Sequence, residues 1–175
     1  MNATYASMLS LGLLILRLVF GLVMAAHGSQ KLLGWFGGYG IAGTGGFFES
    51  LGFRPGKLFA TLASVSELTG GLLVTLGALG PVGPALIISV MIVAAVTVHW
   101  KHGLFAANNG IEVPLLYSTG ALVLALAGFG EFSFDAGTGL DRLWTPGVIW
   151  TIVALGVVGA IGNLFLRRAP AQAQV

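Results

Sequence analysis

Residues 11–34, LGLLILRLVFGLVMAAHGSQKLLG, decide how the rest of the chain is read. Their length and apolar content suit a helix that crosses a bilayer, yet Arg17 lies well inside the stretch and His27 near one end. Helical spacing lines up Leu13, Arg17, Gly21, Met24, Gly28 and Lys31 on one face. An arginine about two turns into an apolar helix costs ~2.5–3.5 kcal/mol on insertion scales unless something answers it. That face is therefore expected to meet protein, and the remainder of the chain to supply the answer.

The totals agree with a membrane protein. Hydrophobic residues fill 56% of the 175 positions and charged ones 8%, against ~25% charged in a soluble domain. One integral membrane domain over residues 1–175 is the natural count. The net charge of +2 comes from basic residues scattered between apolar segments, which form no nucleic-acid patch. Cysteine is absent, so thiol–disulfide exchange, thiolate-bound metal and iron–sulfur clusters are excluded in this chain. The first apolar segment has no charged region ahead of it and is not read as a cleavable signal.

Five apolar segments follow one another: 11–33, 58–79, 82–100, 113–129 and 146–166. All five are read as transmembrane helices, the fourth being the shortest. The fold class expected is all-α, a polytopic transmembrane helical bundle. If all five span, one side carries Lys31, Arg54, Lys57, Lys101, Arg167 and Arg168. The other side carries Arg142 alone among Glu131, Asp135 and Asp141. The positive-inside rule then places the N-terminus outside and the C-terminus in the cytoplasm of the cell (inner) membrane.

Between the first two segments, Gly38-Tyr39-Gly40-Ile41-Ala42-Gly43 matches G-x-G-x-x-G. That fingerprint binds dinucleotides only between a strand and a helix, and here a membrane helix precedes it. The expectation is a flexible or partly re-entrant loop, with a short interfacial helix over 45–53 that carries Phe47, Phe48 and Leu51. The second segment divides into two faces. Ala60, Ser64, Glu67, Gly71, Thr75 and Ala78 form a small and polar stripe, opposite Leu62, Val65, Leu72, Leu76 and Leu79. Small residues allow close helix approach, so Glu67 is expected to point into the bundle.

Arg17 and Glu67 are the first candidates for chemistry. Counted from the cytoplasmic side, they lie ~20 Å and ~14 Å deep, a gap that an arginine side chain can bridge. Asp135, beyond the outer end of the fourth segment, competes as a partner for Arg17. Two readings stand: a structural ion-pair network that orders the bundle, or a proton-handling or polar ligand site. His27 and His99 fall near cytoplasmic helix ends, with Lys31 one turn from His27. A quinone headgroup bound by a histidine and a carboxylate beside Trp100 ranks above a b-type haem between the two histidines. A zinc site from His99, His102 and Glu112 lacks a fourth ligand, so no metal centre is expected. The fifth segment carries Gly156 and Ala160 at small-xxx-small spacing, suited to packing on the bundle or on a partner.

This combination resembles the DoxX family of small membrane proteins. The resemblance rests on Arg17, on His27-Gly28 with Lys31, and on Glu67 with Gly70-Gly71. It continues through Asn109-Gly110, Glu112 and the element Gly128-x-Gly130-x-x-Ser133-x-Asp135. It covers about residues 10–140 and implies a four-helix core, to which the helix at about 146–166 is an addition. It also implies association with membrane oxidoreductases, including quinol oxidase and thiosulfate:quinone oxidoreductase assemblies.

The function expected is an accessory or quinone-contacting subunit of a membrane redox complex, through Arg17, His27, Lys31, Glu67, His99 and Asp135. Two alternatives stand beside it: a small proton-coupled carrier, and a structural assembly subunit without chemistry of its own. The partners expected are the lipid bilayer and redox-complex subunits, with a homo-oligomer admitted and nucleic acid excluded. Whether the chain is itself an enzyme is left open.

Overall fold

A computed structural model describes residues 3–168. It contains seven helices: α1 (Ala3–Leu33), α2 (Gly40–Ser50), α3 (Gly56–Leu76), α4 (Val82–Ala94), α5 (Glu112–Ala127), α6 (Phe134–Thr138) and α7 (Pro146–Phe165). Helix α4 continues as a π turn, Ala95–His99, and then a 3-10 turn, Trp100–His102. Four helical stretches are long and apolar enough to cross a membrane: Thr4–Leu33, Gly56–Leu76, Val82–His102 and Pro146–Phe165. Helix α5, at 16 residues, measures ~24 Å and is shorter than the ~30 Å hydrocarbon layer. It nonetheless joins the two ends of the bundle, since His99 meets Asn109 just before it and Asp135 meets Gly80 just after it.

Glycine sets the register of the central pair. A Cβ at Gly71 would fall 2.5 Å from the Gly21 carbonyl oxygen and the Ala25 nitrogen. One at Gly28 would fall 2.5 Å from the Leu68 nitrogen. Helices α1 and α3 therefore touch backbone to backbone at two levels, which only glycine permits. Lipid offers no hydrophobic drive between helices, so this close van der Waals contact is what binds them.

Burial follows the stripes expected from the sequence. Arg17, Gly21, Met24 and Gly28 are buried on α1, Ala60, Ser64, Glu67 and Gly71 on α3 and Ala78 just after it, while Leu62, Val65, Leu72, Leu76 and Leu79 are exposed. Met24, Val74, Ile87, Met91 and Leu124 fill the core between α1, α3, α4 and α5. Helix α7 rides outside on α4. Its small stripe is taken up there, with Ala160 fully buried and Gly156 against the Ala85 carbonyl, and is not left for a partner.

The first connection departs from expectation in extent. The short helix expected over 45–53 is present as α2, but it begins earlier, at Gly40 inside the G-x-G-x-x-G match, and ends at Ser50. Glycine lowers intrinsic helix propensity by ~1 kcal/mol per residue, which hid the start of a helix that tertiary contact holds in place. Thr44 Oγ1 donates to the Lys31 carbonyl at 3.2 Å. Its fully buried neighbour Phe53 lies between the rings of Phe48 and Phe59.

Candidate functional site

The three buried charges of the sequence separate into two groups at opposite ends of the bundle. Arg17 is 2% exposed, Glu67 0% and Asp135 2%, so all three face protein. They do not face one another. Arg17 donates from Nη1 to the Thr75 carbonyl at 3.2 Å and from Nη2 to the Phe132 carbonyl. The α1–α3 register explains this. Gly21 lies against Gly71 and Thr75, and Thr75 is two turns, ~12 Å, beyond Glu67 along α3. Helical side chains also lean toward their own N-terminus, which carries the Arg17 guanidinium further from Glu67. The Arg17–Glu67 pair anticipated from depth does not form.

Asp135 is not the partner of Arg17 either. Its carboxylate accepts the backbone N–H groups of Leu79 at 2.9 Å and Gly80 at 2.6 Å, and the Trp144 indole N–H at 2.7 Å. Its own N–H donates to the Gly77 carbonyl at 3.0 Å. The turn so held, 77–80, places Leu79 at φ 56 and Gly80 at φ 46. A leucine with positive φ is strained and persists only where its surroundings impose it. Ser133 accepts the Ala136 N–H and so caps α6, which presents Asp135. The Gly128–Asp135 element thus works as a brace on the α3–α4 turn.

Arg17 belongs to the same brace. Gly77, at φ 65, leaves room for it, since a Cβ there would fall 2.3 Å from Arg17 Nη1. Substituting Arg17→Leu leaves the Thr75 and Phe132 carbonyls without their donor, at about 1–3 kcal/mol for each buried acceptor. The thermal midpoint in mild detergent is expected to fall, with Arg17→Lys intermediate because an ammonium cannot fork across both carbonyls.

At the opposite end Lys31 and Glu67 form the one ion pair among the described residues, Nζ to Oε1 at 2.5 Å. Lys31 stands near the C-terminus of α1, and its side chain leans back into the bundle for the reason that takes Arg17 away. The second carboxylate oxygen, Glu67 Oε2, is buried without a hydrogen-bond partner. Tyr117 on α5 packs at right angles to the His27 ring, with the centroids 6.1 Å apart.

Lys31 also lines a cavity of about 550 Å³. Its walls are aromatic and apolar, with Phe47, Phe48, Phe53 and Phe59 from α2 and the start of α3, and Val90 and Val93 from α4. Polar side chains on it include Gln30, Lys31, Ser66, Thr97, His99 and Asn163. His99 reaches it from the π turn and shares Nδ1 with the Asn109 carbonyl at 2.8 Å. Neither His27 nor Trp100 is on the wall, and Trp100 is exposed. Glu112, weighed as a metal ligand, accepts the Ala106 N–H at 2.7 Å. No group of three or more metal-ligating side chains occurs among the described residues.

Of the six side chains singled out in the sequence, Lys31 and His99 line the cavity, and Glu67 is buried behind it on Lys31. His27 stands behind them on Tyr117, and Arg17 and Asp135 are at the far end. Tyr117 and Asn163 escaped the sequence reading. A lone amide in the apolar run of α7 was the available signal for Asn163, whereas nothing in the order of residues pairs Tyr117 with His27.

These residues build a multi-pass helical membrane protein with a buried ion pair beside an apolar cavity. The chain belongs to the DoxX family, whose sequence model matches residues 12–100. The match takes in Arg17, His27, Lys31, Glu67 and His99 and stops before Asp135 and α7. No curated protein and no solved structure matches the chain.

Proposed function

We propose that this protein holds the headgroup of a lipid-soluble quinone for a membrane oxidoreductase. The observation that carries the reading is Lys31, paired with the buried Glu67, on the wall of an aromatic-lined cavity of about 550 Å³, a size and lining suited to a small flat ligand. The ammonium of Lys31 has three N–H groups and gives one to Glu67, leaving donors for a quinone carbonyl. With His99 neutral and Nδ1–H assigned as donor to Asn109, Nε2 is an acceptor suited to a quinol hydroxyl. The unpaired Glu67 oxygen is a place to hold a proton. A π turn that presents His99 and Thr97 fits a ligand site, where such turns recur. The chain carries no thiol, so electrons pass between the quinone and a partner subunit. By the positive-inside rule, Lys31, Arg54, Lys57, Lys101, Arg167 and Arg168 favour a cytoplasmic orientation for the cavity end.

The unpaired Glu67 oxygen also favours a second reading, a proton-coupled carrier. Against it, the far end is bolted by Arg17 and Asp135 to fixed backbone, so a through-path would have to break those bonds.

The test is purification in mild detergent, solvent extraction for quinone, and titration with decylubiquinone followed by tryptophan fluorescence. Quinone is expected in the extract, and Lys31→Met is expected to weaken decylubiquinone about tenfold, the ~1.4 kcal/mol of one modest charged hydrogen bond. No extractable quinone and no saturable quenching, with uptake in liposomes that follows an imposed pH gradient, would transfer the assignment to the carrier.

A further inference from the structure

Helix α7 lies outside the residues matched to the family, yet it reaches the cavity. Apart from Trp150 and Thr151, Asn163 is its only polar side chain, and Thr151 is satisfied by the Gly147 carbonyl of its own helix. The Asn163 amide is half-buried, lines the cavity and has no side-chain hydrogen bond among the described residues. An amide in an apolar membrane helix gains from a hydrogen-bond partner, and a polar ligand in the cavity would supply one.

One turn further on, α7 grips the end of α2. Arg167 Nε donates to the Leu51 carbonyl at 2.5 Å, and the Arg168 N–H donates to the Gly52 carbonyl at 2.9 Å. Gly52 is at φ 95, and a Cβ there would fall 2.0 Å from the Arg168 carbonyl oxygen. The position therefore needs glycine twice over, for its backbone conformation and for the room it leaves. The gripped turn leads into Phe53, which anchors the aromatic wall between Phe48 and Phe59. Helix α2, with Gly40, Gly43, Gly45 and Gly46, has little helical stability of its own and depends on what holds its ends.

We infer that α7 completes the cavity: Asn163 hydrogen-bonds the occupant, and the Arg167–Leu51 and Arg168–Gly52 contacts keep α2 closed over it. The Asn163 half rests on the quinone reading, and the closure half does not. An amide both donates and accepts, so Asn163 can bind a quinone carbonyl and a quinol hydroxyl alike.

The absence of cysteine makes Ser66→Cys, on the cavity wall, a background-free reporter in the full chain. N-ethylmaleimide is expected to label it about tenfold faster in Gly52→Val, where α2 is pushed off α7, and about threefold faster in Arg167→Gln, which loses one charged hydrogen bond. The milder variant serves if Gly52→Val does not fold. Equal labelling rates in a folded variant would overturn the closure. Separately, Asn163→Leu is expected to weaken decylubiquinone about fivefold with no loss of thermal midpoint, since leucine suits an apolar helix. Unchanged affinity would remove Asn163 from the site. If the unaltered chain binds no decylubiquinone, the quinone reading and the role of Asn163 fall together, and the labelling rates still decide the closure.

Discussion

Substituting Gly71→Leu is expected to separate α1 from α3 and to abolish the Lys31–Glu67 pair with it. The Cβ alone would sit 2.5 Å from backbone atoms of Gly21 and Ala25, and leucine adds three further carbons. The obstruction is main chain, so no neighbouring rotamer can yield, and the helices must move apart or slide. Overpacking typically costs ~1–3 kcal/mol where side chains can adjust, and a backbone clash belongs at the upper end or beyond. A shift of 3 kcal/mol lowers the midpoint of a chain this size by ~6–12 °C, to be read by thermal denaturation in mild detergent. Far-UV circular dichroism is expected to stay helical, because each membrane helix satisfies its own backbone. Decylubiquinone affinity is expected to fall as well, since Lys31 and Glu67 are placed by this contact. A variant with unaltered midpoint and affinity would show that the glycine contact does not set the register.

Asp135→Ala carries the second large effect, at the other end of the molecule. It removes the acceptor of three N–H groups, those of Leu79, Gly80 and the Trp144 indole. At about 1–3 kcal/mol for each donor, the three sum to ~3–9 kcal/mol, and the expected loss lies toward the lower end because the Leu79 and Trp144 bonds are only part-buried. Leu79 also loses what holds it at positive φ. The expected readout is a lowered midpoint together with a changed Trp144 fluorescence spectrum. Asp135→Asn, which keeps one oxygen, falls between the two. Because the brace is remote from the cavity, decylubiquinone affinity of the folded protein is expected to stay the same. A loss of affinity without loss of stability would return Asp135 to the ligand site.

Much of the fold was legible in the order of residues. The apolar segments, the buried stripe of α1 and the two faces of α3 all follow from one rule, that lipid tolerates leucine and rejects unpaired charge. That rule places Arg17 and Glu67 inside without naming their partners. A guanidinium has five N–H groups on a long stem and can give them to backbone carbonyls as readily as to a carboxylate. Carbonyls leave no mark in a sequence, so the Thr75 and Phe132 contacts could not be foreseen. The same holds for Asp135, whose acceptor capacity goes to backbone N–H groups of a turn 55 residues away in the chain. The first half of helix α2 was hidden for a different reason. Its glycines argue locally against a helix, and it forms because α1 and α3 give it a surface.

By itself, then, the sequence determined that this chain enters a membrane as a helical bundle with the polar faces of its first two long helices turned inward. The reason is that hydrocarbon imposes the same cost on an exposed charge whatever the topology. Which charge meets which partner was decided only in three dimensions, by a backbone contact at Gly21, Gly28 and Gly71 that sets the two helices in register. That register sends Lys31 to Glu67 and Arg17 to the opposite end, because helical side chains lean toward their own N-termini.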